Sequence, residues 1–236
     1  MYIPEFRTSK EKVPILRQRE IDDIAEAFIK DFQEEALTIP QQLEIEDFAE
    51  GYLGNIQDYQ YLSKNGVYLG MTIFEDTNSV TIYVPEKDDI SYVSARARTI
   101  IIDRCLIDNP GQEHRYRFTL AHEAGHSIFH SAYFRGNPVQ SALVKSLLPP
   151  MILCRKQSIC TRKDQTKDWG DIEWMEWQAN TFASAFLMPR SAVIELSKNI
   201  SRKHELLQEM VQIFDVSVQA AEYRIKELSY ALSILE

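Results

Sequence analysis

At 236 residues, with 44% hydrophobic and 26% charged, the chain has an ordinary globular composition and enough length to bury a sizeable core in one or two domains. The net charge of -9 argues against broad nucleic-acid binding by the whole surface, and would steer a basic protein toward it. No run approaches the roughly 18 apolar residues of a membrane span, Met1 to Lys12 has no continuous apolar stretch of the secretory kind, and the three cysteines Cys105, Cys154 and Cys160 suit a reducing compartment; a cytoplasmic protein is expected.

Ile21, Ile24, Ala25, Phe28 and Phe32 recur at three- and four-residue steps and predict an amphipathic helix. Pro40 opens a second helical stretch carrying Leu43, Ile45, Phe48, Ala49 and Tyr52, ending near Gly51 and Gly54. From Ile56 the pattern shortens. Strands are predicted at Tyr59–Leu62, Val67–Phe74, Val80–Val84 and Thr99–Ile102, with Asn65-Gly66 and Thr77-Asn78 as turns. These make a small, mostly antiparallel sheet, and the helices around it make the fold class α+β. Helix returns over Gln112 to Ser131. Residues 133–168 read as an insertion, with a hairpin across Met151 to Thr161. Asp171 is placed as the N-cap of a helix that Pro189 terminates, and the rest is helical with a break at Asp215-Val216-Ser217.

The predicted helix at 112–131 contains His122-Glu123-Ala124-Gly125-His126. Histidines four apart stand about 40° apart around a helix and one turn along it, so both imidazoles can reach one zinc ion. Glu123, beside the first histidine, is placed as general base toward a water that zinc makes acidic. Small or apolar neighbours Leu120, Ala121, Ala124 and Gly125 mark the helix as buried against a sheet. Gly125 costs about 1 kcal/mol of helix stability relative to alanine, which a close backbone approach would explain.

Two residues compete as the third ligand. His130 lies roughly 12 Å along the axis from His122, which suits packing or outer support of the site better than ligation. Glu176 sits in Glu176-Trp177-Gln178-Ala179-Asn180, flanked by Ala179, Phe182, Ala183 and Phe186 on a face that turns inward. An unpaired carboxylate there would be costly. Asn180 shares its face and is placed to hold a ligand histidine in its metal-binding tautomer.

Arg117 through His126, His130, and Glu176 through Pro189 together resemble the ImmA/IrrE metallopeptidases, bacterial proteins often encoded beside regulators of mobile elements or stress responses. The resemblance implies that His122, His126 and Glu176 bind zinc and that Glu123 is the general base. The glutamate-to-asparagine spacing is also similar to the thermolysin-like clan. Characterised members cleave DNA-binding repressors, so a helix-turn-helix repressor is the expected partner. The insertion between His126 and Glu176 looks longer than the family carries.

Arg155, Lys156, Arg162, Lys163 and Lys167 form a basic cluster within that insertion, read as a solvated loop ahead of a lid. Cys154 and Cys160, separated by five residues, lack the spacing of a second metal site. The tail from Leu206 to Leu228 resembles a helix-turn-helix, but its second helix balances Arg224 and Lys226 against Glu222 and Glu227, which argues for packing or substrate docking over direct DNA binding. The expected division is a zinc peptidase domain at 1–190 and a helix-turn-helix-like tail at 191–236 packed on it. The competing reading is a DNA- or protein-binding regulator with a non-catalytic zinc site, which would have no use for Glu123. Arg117, His130, Tyr133 and Arg190 stay open as groups that stabilise the oxyanion.

Overall fold

Ile21, Ile24, Ala25 and Phe28 line one face of helix α1 (Gln18–Gln33), and all four are buried, as a 3.6-residue apolar period requires. The computed structural model describes residues 1–135, 151–155 and 169–232. The α+β class holds. Helix α1 packs on α5 (Asp171–Leu187), which crosses α3 (Glu113–Phe129).

The second helical stretch differs from its sequence pattern. Residues 40–44 are not helical, and Asp47–Tyr52 forms a π-helix that runs through Gly51. The wider turn brings the Phe48 and Tyr52 rings into a stack at 5.4 Å. Phe48 also meets Phe186 at 4.1 Å and Phe28 at 5.8 Å. An aromatic cluster, rather than helix propensity, selects this local geometry. The chain leaves through Gly54 at φ 68°, a left-handed conformation that glycine adopts without strain.

Four strands form the main sheet in the order β1 (Ile56–Gln60), β5 (Thr99–Asp103), β2 (Tyr68–Ile73), β6 (Met151–Arg155). The β1–β5 pair is parallel; β5–β2 and β2–β6 are antiparallel. Strands β3 (Thr77–Val84) and β4 (Asp89–Ala95) pair separately as an antiparallel ribbon. Sequence periodicity misses β4, because Ile90 and Tyr92 are exposed and no buried face marks it. Thr77-Asn78 is not a turn but the start of β3, with a register shift before Val80. Central strands are covered on both sides. Ile100 and Ile102 join the helical core, whereas Ile101, Met71 and Ile73 pack with Val80 and Ile82 of the ribbon. This two-residue alternation turns Gly70 and Thr72 toward α3.

Short helices α2 (Cys105–Asp108) and α4 (Ser131–Arg135) flank α3. The expected hairpin keeps only β6 in view; 156–161, Cys160 and the basic cluster at Lys156, Arg162, Lys163 and Lys167 lie outside the described residues. Asp171 opens α5 as its first residue, with Gly170 as the N-cap. After Pro189 come α6 (Arg190–Ser197), α7 (Lys203–Phe214) and α8 (Val218–Glu227).

The break between α7 and α8 falls at Asp215 (φ 51°), and the Ser217 hydroxyl caps α8 by accepting from the Ala220 N–H at 3.2 Å. Leu206, Met210, Phe214, Ala221 and Ile225 belong to the same core cluster as α1, α3 and α5. Arg224, fully buried, pairs with Asp22 of α1 at 2.7 Å and donates to the Met188 carbonyl at 2.9 Å. It is a bolt between helices. From α3, buried Arg117 donates to the carbonyls of Asp215 and Leu43 at 3.2 and 3.1 Å.

Candidate active site

Helix α3 reaches the interior because small residues let it. A Cβ added to Gly125 would lie 3.2 Å from the Ala179 Cα, so α3 and α5 touch backbone to backbone at that point. The close approach that the glycine implied is made by a helix, and not by the sheet the sequence suggested. It sets the helix carrying His122 and His126 directly against the one carrying Glu176 and Asn180.

The ligand atoms of His122, His126 and Glu176 all lie within 4.8 Å of one another. The two Nε2 atoms are 2.9 Å apart. Glu176 Oε1 is 3.4 Å from His126 Nε2, and Oε2 is 3.6 Å from His122 Nε2. Donors at about 2.0–2.1 Å from a tetrahedral ion stand about 3.3–3.4 Å apart. The two Glu176 distances match that spacing, the imidazole pair is tighter than it, and two imidazoles with one carboxylate are donors that suit a small divalent metal.

Both histidines are completely buried. Burial is the chief cause that depresses His122 to about 4, with the neighbouring His126 adding to it, and it depresses His126 to about 3. The rings are thus neutral near pH 7, the form in which imidazole offers a lone pair. His122 Nδ1 faces Asn180 Oδ1 at 2.9 Å, so Nδ1 carries the proton and Nε2 keeps the lone pair. His126 Nδ1 lies 2.8 Å from His130 Nδ1, and His130 Nε2 lies 2.9 Å from Gln178 Oε1. His130 touches His126 rather than the space between the three ligand atoms.

Glu123 occupies a cradle on β2. Its Oε2 accepts from the Thr72 hydroxyl at 2.5 Å, and its Oε1 is buried with no hydrogen-bond partner among the described residues. A Cβ on Gly70 would fall 2.5 Å from that Oε1, so only glycine leaves the carboxylate its room. Burial pushes the Glu123 pKa well up, against the opposing Thr72 hydrogen bond. A carboxylate so placed is a stronger base than one in water. Gly70 and Thr72 escaped the sequence reading; the signal was a glycine and a hydroxyl inside an otherwise apolar strand.

Two groups left open for the oxyanion are engaged elsewhere. Arg117 holds the α7–α8 turn, and Arg190 pairs with Asp23 and Glu26 of α1 at 2.9 and 2.8 Å. Tyr133 is buried with Val13, Phe74 and Met175.

Residues 152–226 match the Peptidase_M78 family model, described as the IrrE N-terminal-like domain. The matched stretch contains Glu176 and Asn180 and runs through α5 to α8, and it supports a metallopeptidase of the ImmA/IrrE type. A comparison with curated proteins gives no match. No helix among the described residues is long and apolar enough to cross a membrane.

Proposed function

We propose that this chain is a zinc-dependent endopeptidase that hydrolyses one peptide bond in a repressor-type regulatory protein inside the cell. The carrying observation is the buried convergence of His122, His126 and Glu176 next to a carboxylate, Glu123, one oxygen of which has no hydrogen-bond partner among the described residues. A structural site would need the first three and would have no use for the fourth. Zinc in that set supplies Lewis acidity, polarising a scissile carbonyl and acidifying water.

The remaining work belongs to the chain. His122 and His126 present neutral Nε2 atoms, and Asn180 holds the first in register. Glu123 takes the proton of the attacking water at its buried carboxylate and delivers it to the departing amine. Thr72 and the bare Cα of Gly70 keep that carboxylate from swinging away. In this reading 1–190 is the catalytic unit and 191–236 a tail packed on it. Burial of Arg224 supports that role for the tail, since it removes a cation that phosphate binding would need at the surface.

The test incubates wild type and Glu123→Gln with zinc and a helix-turn-helix repressor encoded beside the gene, with cleavage read by mass spectrometry. Cleavage by wild type alone, with zinc bound by both, is the expected result. Equal cleavage by the two, or no zinc binding by wild type, would overturn the proposal.

A further inference from the structure

Neutral imidazole has one donor nitrogen and one acceptor nitrogen, and a metal needs the acceptor. For His126 the Nδ1 side leaves that choice open. Its Nδ1 faces another imidazole nitrogen, that of His130, at 2.8 Å, and such a contact is satisfied with the proton on either ring. The direction has to come from further away.

Gln178 supplies it. This side chain is only 1% exposed and lies on α5, two residues from Glu176 and two from Asn180. Its amide nitrogen is 2.6 Å from the Pro14 carbonyl oxygen. A carbonyl can only accept, so the Gln178 NH2 must face Pro14 and its oxygen must face His130, whichever way the amide is first drawn. An amide oxygen can likewise only accept. His130 Nε2, 2.9 Å from it, therefore carries the proton of that ring, and His130 Nδ1 is left as an acceptor. His126 Nδ1 must then donate, and His126 Nε2 keeps its lone pair toward His122 and Glu176. Three contacts run in one direction from a backbone carbonyl to a metal-ready nitrogen.

The origin of that direction is a built structure. Thr8 and Pro14 pair as an antiparallel bridge, the Ser9 N–H donates to the Val13 carbonyl at 2.7 Å, and the Ile15 N–H donates to the Arg7 carbonyl at 2.8 Å. Val13 packs with Phe74, Tyr133 and Met175, so the loop is pinned against α4 and α5. Pro14 thus presents its carbonyl from a strap fixed by the bridge to Thr8 and by the buried Val13 beside it.

We propose that Gln178 is a positioning residue that sets the tautomer of His126 through His130, with the carbonyl of Pro14 in the N-terminal strap as its reference point. The inference rests on the zinc reading above, yet its test is separate. Long-range proton–nitrogen NMR of the histidine rings, on the full chain without metal, gives the tautomers directly. His126 as the Nδ1–H form and His130 as the Nε2–H form are expected; an Nε2–H form of His126 would overturn the proposal even if wild type binds zinc. Absence of zinc binding with the expected tautomers would sink the functional reading and leave the relay standing.

Two variants sharpen the test, with zinc affinity measured by competition with a chromogenic chelator. Gln178→Met, close in shape but lacking an acceptor, should weaken zinc by about 10–100-fold, the usual worth of an outer partner of a ligand histidine. Gln178→Glu keeps an acceptor facing His130 and should recover most of that loss. Equal loss in both, or wild-type affinity in Gln178→Met, would mean that the acceptor does not matter. If Gln178→Met does not fold, the wild-type tautomers decide alone.

Discussion

Two clusters of buried polar side chains sit against α5, and they use burial in opposite ways. At the α1–α5–α8 junction, Arg224 meets Asp22, the Met188 carbonyl and Glu227, which in turn accepts from Ser184. One buried cation is shared there between two carboxylates, so the cluster carries its own counter-charge. At the α3–α5 crossing, the polar atoms turn their donors outward to Asn180 and His130 and their lone pairs inward to a shared space. Buried polarity alone does not mark a site. Convergence of acceptors without an internal cation does, because such an arrangement is costly until a cation is added.

The sharpest way to break this comparison is to take the acceptors apart. Glu176→Ala should weaken zinc by more than the about 10–100-fold that an outer partner is worth, while chelator-treated wild type stays folded by circular dichroism. A folded variant with unchanged zinc affinity would remove Glu176 from the ligand set. On the catalytic side, Glu123→Gln should lower kcat by at least the about 10²–10⁴-fold typical of a lost general base, with zinc affinity kept.

The structural cluster should answer in stability and not in metal. Arg224→Ala leaves Asp22 as an uncompensated buried charge and should cost about 3–5 kcal/mol in urea unfolding. The double variant Asp22→Ala with Arg224→Ala should lose less than the sum of the two single ones. Zinc affinity of the folded protein should not change in either. A large drop in affinity would show that the two clusters are coupled through α5.

Between the two lies Gly70→Ala. Its Cβ would fall 2.5 Å from Glu123 Oε1 and 2.8 Å from Thr119 Cγ2, so the carboxylate or β2 must shift. Overpacking of this kind costs about 1–3 kcal/mol. The expected outcome is a lower kcat with zinc affinity retained; retained kcat would mean that Glu123 does not need its present place.

The smallest effect concerns Glu227, whose pKa is raised above the ordinary 4.5 chiefly by burial, with Arg224 opposing. A folded value above the unfolded one means that the folded state holds the proton longer. The stabilisation is then complete below about pH 4.5 and is lost as pH rises through the folded value. Urea unfolding across pH should show wild type losing stability relative to Glu227→Gln above pH 4.5. A flat difference would mean that Glu227 is as well solvated folded as unfolded.

Much of this molecule is legible in the chain because it is set by neighbours in sequence. The face of α1, the four-residue spacing of His122 and His126, the approach implied by Gly125 and the break at Asp215 are local periodicities, which survive in any tertiary setting. Strand β4 was not legible, since pairing with β3 and not a buried face holds it. The π-turn at Asp47–Tyr52 was not, since rings from α1 and α5 select it. Charge balance in the last helix favoured packing over DNA contact, but the partner that makes Arg224 a bolt was not legible, because Asp22 lies opposite only in the folded chain.

Sequence by itself determined which groups are the candidates: two histidines, a carboxylate beside them and an inward-facing glutamate with asparagine one turn on. Only the tertiary structure decided how those groups are held. The room for Glu123 comes from Gly70, its hydrogen bond from Thr72, and the direction of the His126 proton from Gln178 and the Pro14 carbonyl. Helical spacing is written within a few residues, whereas a hydrogen bond between residues 14 and 178 exists only after the whole core has packed and excluded the water that would otherwise satisfy both.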